Sequence, residues 1–397
     1  MIWNRTKVLV RYVLMSLIRF LSYVIPKNKT IWVFNGFADK YVDNSKYLYE
    51  FIFMNHCNIT PIWITRNKET FEKISSIGYN VRMKRSISGF YYSLIAKIHF
   101  YGDYVDYWTS GGAICVNLWH GTPLKKIEFD IKNGPLKGLY DGSALSYVQH
   151  PELYIKPDYM VSSSTFFAEN AFCSAFRIQK SRCLNYGYPR NDILFNNKIE
   201  LLMHIENEMP KLYNTISGGH QYRTIYLYLP TWRDSGSNLV EDSGIDFQAL
   251  NTKMEQLNSL FLLKFHPATH INIDITRFSN IMLINNNTDL YKLIPLTDVL
   301  VTDYSSVYFD YLLLNKRIIF FPFDYDEYIE HRELYFNYDE ITPGIIVHTF
   351  EELLLNLDKQ YLDTEKYTNI RNKAWNYLDN NSSSRIVNYF AQKTGVC

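Results

Sequence analysis

From Thr30 onward, short runs of β-branched and aromatic residues alternate with longer segments whose apolar positions recur every three or four residues. That alternation is the pattern of parallel sheets covered by helices. In the first half the runs predict strands at Thr30–Asn35, Pro61–Thr65, Val81–Lys84, Lys97–Tyr101, Ala113–Trp119 and Tyr159–Ser162. In the second half they predict strands at Thr224–Leu229, Leu260–Phe265, Ile281–Ile284, Val299–Thr302, Arg317–Phe321 and Gly344–Val347. Helical spacing marks Val42–His56, Phe247–Leu257, Ser305–Leu314 and Phe350–Leu357, then Thr364–Asn376 and Ser382–Gln392 after the last strand. Two such sets imply an α/β protein of two doubly wound domains. A helical segment and the Ser217-Gly218-Gly219 turn place the boundary within 196–223, giving domains over 30–195 and 196–397 whose final helices could return to the first.

Residues 1–29 break the pattern. Arg5, Lys7, Arg11, Arg19, Lys27 and Lys29 precede any acid and are interleaved with apolar side chains. Arg11 and Arg19 bracket only Tyr12–Ile18, well under the roughly 20 apolar residues of a spanning helix. The segment is therefore expected to lie on a membrane as an amphipathic helix. The alternative is a first helix packed on the protein's own core with its basic face in water. A secretory signal fits poorly, because no small-residue cleavage site precedes Pro26.

Composition narrows the classes. Of 397 residues 47% are hydrophobic, ample for packed cores, and 41 basic against 40 acidic residues leave +1, which argues against a general nucleic-acid binder. Cys57, Cys115, Cys173, Cys183 and Cys397 are odd in number and form no C-x-x-C pair, so neither a disulfide framework nor a zinc site is suggested. A reducing cytosol is the natural setting. Aromatics reach 16%, with 33 Tyr, much of it core and half-buried surface.

In open parallel sheets ligands sit at the carboxyl ends of strands, so the polar residues that follow each strand carry the chemistry. Four ends stand out. His120-Gly121-Thr122-Pro123-Leu124-Lys125 delivers an imidazole that suits a general base, or else a hydrogen-bonded, half-buried histidine. Pro230-Thr231-Trp232-Arg233 offers a guanidinium fork for a phosphate, or a partner for a carboxylate. Lys264 and His266 share one face of a strand end, as a phosphate-neutralising pair or an exposed one. Thr302-Asp303-Tyr304-Ser305-Ser306 leads into the helix containing Asp310, where Ser305 and Ser306 occupy capping positions above an anion-binding turn. Asp324, Asp326 and Tyr328 suit hydroxyl recognition or a polar loop, and Arg190 lies in a rigid turn that also reads as a hinge. P-loop, dinucleotide and nucleophile-elbow motifs are absent, and no D-x-D pair follows a strand directly, so neither a cofactor nor a metal is implied.

Taken in order, His120–Lys125, Gly187-Tyr188-Pro189-Arg190-Asn191-Asp192, Pro230–Arg233, Lys264-Phe265-His266-Pro267 and Thr302–Ser306 resemble the CDP-glycerol glycerophosphotransferase family, the teichoic acid primases and polymerases. The likeness covers about residues 100–375. It implies a GT-B arrangement of two Rossmann-like domains across a cleft, the first on the acceptor side and the second holding the nucleotide. It also implies a peripheral place on the cytoplasmic face of the bacterial cell membrane. The donor would be CDP-glycerol or CDP-ribitol, and the acceptor an undecaprenyl-diphosphate-linked saccharide of a teichoic acid or capsule pathway; self-association stays open. His120 and His266 take the family's catalytic histidine positions; Gly121, Thr122, Lys125, Arg190, Arg233, Lys264, Asp303, Ser305, Ser306 and Asp310 become substrate-binding candidates. Arg332-Glu333 departs from the family's usual Arg-Gly. A chain of this length leans toward a primase or a compact capsule polymerase. The rivals are a GT-B nucleotide-sugar transferase and a non-catalytic membrane scaffold.

Overall fold

A computed structural model describes residues 2–134, 136–218, 222–233, 239–265, 269, 274–360 and 363–396. The chain divides into two units. The first comprises Met1–Gly121, Lys126–Asp192 and Trp375–Cys397, and the second Thr122–Lys125 and Ile193–Ala374. The change of unit falls between Asp192 and Ile193, in the Pro189–Phe195 turn, three residues ahead of the second domain's expected start at 196.

The first unit opens with helix α1 (Ile2–Val24). Its sheet contains β1 (Asn28–Asn35), β2 (Thr60–Thr65), β3 (Val81–Met83), β4 (Ala96–Tyr101), β5 (Ile114–Asn117), β6 (Tyr159–Val161) and β7 (Cys183–Leu184). All pair in parallel in the order β3-β2-β1-β4-β5-β6-β7. β7 escaped the sequence reading because two residues carry no periodicity. The predicted strand to Trp119 stops at Asn117, since Trp119 turns to a left-handed φ of 52°. Trp32, Phe34 and Phe100 fill the centre of the sheet, and Phe390 of the last helix, Ser382–Thr394, packs on Phe100 at 5.4 Å. That helix is capped from far away: the two Asp192 oxygens accept the Ser382 and Ser383 N–H groups, each at 2.9 Å.

α1 docks on this unit through one face. Met15 is buried, the Arg19 guanidinium donates to the Tyr107 carbonyl at 2.5 Å, and Ser22 sits over Gly111, where a Cβ would come within 2.1 Å of its Oγ. The opposite face exposes Leu9, Val10, Val13, Leu14, Leu17, Phe20, Leu21 and Val24. The helix thus packs on the protein's own core, as the alternative reading had it, and what it leaves in water is mainly apolar, with Lys7 and Arg11 also exposed and Arg19 tucked against Tyr107. Among the described residues no helix is long and apolar enough to cross a membrane.

The second unit repeats the plan with β8 (Thr224–Leu229), β9 (Ser259–Leu263), β10 (Ile281–Leu283), β11 (Val299–Thr302), β12 (Arg317–Phe320) and β13 (Ile345–Ile346). The order is β10-β9-β8-β11-β12-β13, again all parallel. Its core joins Tyr226, Phe261, Leu263, Val301 and Ile319 to Phe247, Leu250 and Met254. In each sheet the strand order reverses beside its first strand, between β1 and β4 and between β8 and β11. Such switch points open a crevice at the carboxyl ends of the strands, and each carries a cavity.

Candidate active site

His120 stands three residues beyond β5. Its Nδ1 lies 2.8 Å from the Gly102 carbonyl. A carbonyl only accepts, so Nδ1 carries the proton and Nε2 is left with a lone pair. The ring is sandwiched by Trp119 at 4.1 Å and Phe37 at 4.5 Å. Burial pushes its pKa below the usual histidine value, against the opposing Gly102 bond and Asp43. The group is thus a neutral imidazole in a fixed tautomer.

The turn that presents it is bound on several sides. Buried Asn44, at the start of helix α2 (Asp43–Asn55), donates to the Leu118 and Trp119 carbonyls at 3.1 and 3.0 Å. The Arg190 guanidinium donates to the His120 carbonyl at 2.8 Å and to Asp43 at 2.7 Å. Ala38, Asp39, Asp43 and Trp119 all hold positive φ, costly backbone that a packed surrounding has to impose.

At the second switch point a cavity of about 380 Å³ is lined by Leu229, Pro230, Thr231, Trp232, Lys264, Phe265, Ser305, Ser306 and Lys125, among others. Ser306 occupies the cap position of helix Val307–Tyr311 yet makes no side-chain capping bond. The Thr231 hydroxyl is buried without a hydrogen-bond partner among the described residues. Lys264 donates to the Asn285 and Asn286 carbonyls at 3.1 Å, and burial pushes its amine down to about 8, with Asp289 opposing. A cavity with a cation, hydroxyls and a helix start suits an anionic group.

Comparison with known proteins identifies the chain. The sequence profile of the family described as CDP-Glycerol:Poly(glycerophosphate) glycerophosphotransferase matches residues 17–392. The chain belongs to this glycerophosphotransferase family. Among its relatives, the teichoic acid poly(glycerol phosphate) polymerase of Bacillus spizizenii is 27% identical over 96% of this chain and 98% of its own. The teichoic acid glycerol-phosphate transferase of Staphylococcus aureus is 28% identical over 97% and 98%. The chain spans half of another matching polymerase, from Staphylococcus epidermidis. Length therefore does not separate a primase from a polymerase, contrary to the expectation from size, because this chain covers 98% of the first of these polymerases. A histidine variant of the wall teichoic acid polymerase TagF superposes with a TM-score of 0.77 at 26% identity over 99% of this chain and 98% of that one. The two parallel sheets match that GT-B-type architecture.

Several candidates of this glycerophosphotransferase are held by protein partners. Arg233 does not present its fork to the cavity: Nε and Nη2 engage Asp324 at 2.5 and 2.9 Å, Nη2 also meets Asp303 at 2.8 Å, and Nη1 donates to the Thr231 carbonyl. Burial alone would lower its pKa, but the two carboxylates hold it charged, above the ordinary value. Asp303 is fully buried on that guanidinium and on the Thr231 and Tyr304 N–H groups, and Asp310 accepts the Tyr291 hydroxyl at 2.5 Å. Neither lines the cavity described above, and each carboxylate is fully buried among internal partners. Arg190 is likewise buried, on Asp43 and the His120 carbonyl, so it positions the turn rather than facing solvent. The His120 motif is divided, with His120 and Gly121 in the first unit and Thr122 and Lys125 in the second. In the second unit Lys125 pairs with Leu334, just past the unusual Arg332-Glu333. His266 lies outside the described residues. Asn44, Asp103, Phe37 and Trp119 were missed; Asp103 alone had a signal, as the polar residue after β4.

Proposed function

We propose that this enzyme transfers glycerol phosphate, or a related polyol phosphate, from CDP-glycerol to a hydroxyl of a membrane lipid-linked acceptor in teichoic acid or capsule-type synthesis. The acceptor oxygen attacks the β-phosphorus, the new phosphodiester bond forms, and the diphosphate P–O bond breaks so that CMP leaves with the electron pair. His120 Nε2 takes the hydroxyl proton. Lys264, Ser305 and Ser306 bind the donor phosphates, and Thr231 adds a hydroxyl. Phosphoryl transfer asks mainly for positioning and charge stabilisation, which such a cradle can supply. The observation that carries the reading is the His120 tautomer, with Nδ1–H tied to Gly102 and the lone pair on Nε2. The exposed apolar row of α1, with Lys7 and Arg11 on the same helix, supports a peripheral position on the cytoplasmic face of the membrane.

The deciding assay follows nucleotide release from CDP-glycerol and CDP-ribitol, with UDP-sugars in parallel and a lipid-linked saccharide as acceptor. CMP release that depends on acceptor is expected. UDP release instead, or silence with both CDP donors, overturns the reading. A base must be neutral to act, so kcat/KM is lost as pH falls through the folded pKa of His120. Since burial lowers that pKa, the acid limb of the profile is expected below about pH 6.5. An acid limb centred above pH 7 removes His120 from the role.

A further inference from the structure

A cavity of about 780 Å³ at the switch point of the first sheet lies outside the site described above. Its walls come from the ends of four strands: Asn35 and Gly36 after β1, Arg66 after β2, Lys84 and Arg85 after β3, and the segment from Asp103 to Trp108 after β4. α1 closes one side with Arg11 and Met15. The volume lies within the range of specific small-molecule sites.

The charges inside it are unevenly matched. Arg66 is held by Asp39 at 2.6 Å, Lys84 lies 3.5 Å from Asp106, and Glu152 faces His150 at 3.7 Å. Asp103 accepts the Tyr104 and Ala38 N–H groups at 2.6 and 3.1 Å. Arg11 and Arg85 remain. Neither has an ion-pair partner among the described residues, although both line the cavity from elements far apart in sequence. Two unengaged guanidiniums in one concavity suit a phosphate or diphosphate, which each can hold through a planar fork. Beside them, Trp108 offers an aromatic face and Asp39 and Asp103 offer carboxylate oxygens, the usual partners of saccharide rings and hydroxyls.

Two relations give this cavity a direction. It shares strand ends with the imidazole: Gly102, whose carbonyl holds His120, precedes the lining residue Asp103, and Phe37, which packs on the ring, follows the lining residue Gly36. On α1, at about 100° per residue, Arg11 falls about 40° from buried Met15 and about 60° from exposed Leu14. Arg11 therefore stands at the seam between the docked face and the apolar row.

We propose that this cavity binds the phosphate-bearing saccharide head of the acceptor, with Arg11 and Arg85 on its diphosphate and Trp108 against a sugar ring, so that the acceptor hydroxyl is delivered toward His120. The assignment rests on the reading above that the acceptor is lipid-linked. Arg11 marks the level at which a headgroup leaves the lipid surface under the apolar row.

The probe is a short-chain, water-soluble lipid diphosphate disaccharide, which needs no membrane. Its binding to the full chain is measured by calorimetry without donor, and its KM is measured with CDP-glycerol present. Arg85→Ala, on an exposed loop, and Arg11→Ala are each expected to weaken binding and raise the acceptor KM by about 10- to 100-fold, the scale of a lost charge-assisted contact. The donor KM is expected to stay, and Arg85→Lys to restore part of the loss. Inorganic diphosphate is expected to displace the probe only at much higher concentration; displacement as tight as the probe itself overturns the saccharide part. Probe binding that survives both alanine variants overturns the site. If the wild type binds the probe through both arginines yet releases no CMP, the cavity stands and the transfer reading falls. If CMP release proceeds with an unchanged acceptor KM in both variants, the transfer reading stands and the cavity falls.

Discussion

Replacing His120 by alanine is expected to lower turnover roughly 100- to 10,000-fold, the usual range for loss of a general base. The fold should survive. The turn is held by backbone carbonyls rather than by the ring, with Asn44 on residues 118 and 119 and Arg190 on residue 120. What disappears is the lone pair that the Gly102 bond leaves on Nε2. The KM for CDP-glycerol should change little, because the phosphate cradle proposed above is built from residues of the second unit. Single-turnover kinetics with saturating donor and acceptor are the measurement. Near-normal turnover in the alanine variant would remove His120 from the chemistry and leave the tautomer as a packing feature.

Replacing Arg233 by alanine is expected to act on stability before catalysis. The guanidinium and Asp303 are almost wholly buried, at 5% and 1% side-chain exposure, and Asp324 is at 15%. Its loss leaves two carboxylates facing each other in a dry region beneath Tyr304 and Tyr328. Breaking a buried pair in this way costs about 3–5 kcal/mol. For a unit of this size that is roughly 10 °C in melting temperature. Urea or thermal unfolding of the second unit reads the change directly. An unchanged transition together with a raised KM for CDP-glycerol would reverse the assignment and return Arg233 to the phosphates. Both predictions test residues of the ordered motifs, and they assign those motifs opposite kinds of work.

The sequence by itself determined most of the fold and the family. Strands such as Thr224–Leu229 and Val299–Thr302 are continuous apolar runs because both faces of a parallel sheet are covered, and their limits were legible to the residue. Strand-end motifs were legible too, since a doubly wound sheet can expose polar groups to a ligand only there. What the sequence could not assign was which polar group meets ligand and which meets protein. Arg233 reads as a phosphate fork or as a carboxylate's partner until Asp324, 91 residues away, occupies it. Asp192 reads as a motif residue until it caps a helix 190 positions later. The exposed apolar row of α1 was hidden because its basic residues look equivalent in sequence, whereas packing tucks Arg19 against Tyr107 and leaves Arg11 at a cavity wall. The cavity at the first switch point has no motif, being assembled from single residues after four strands and one helix. Local pattern is set by periodicity and is written in neighbouring residues; pairing of charges depends on which distant segments the sheets bring together, and only the tertiary structure decides it.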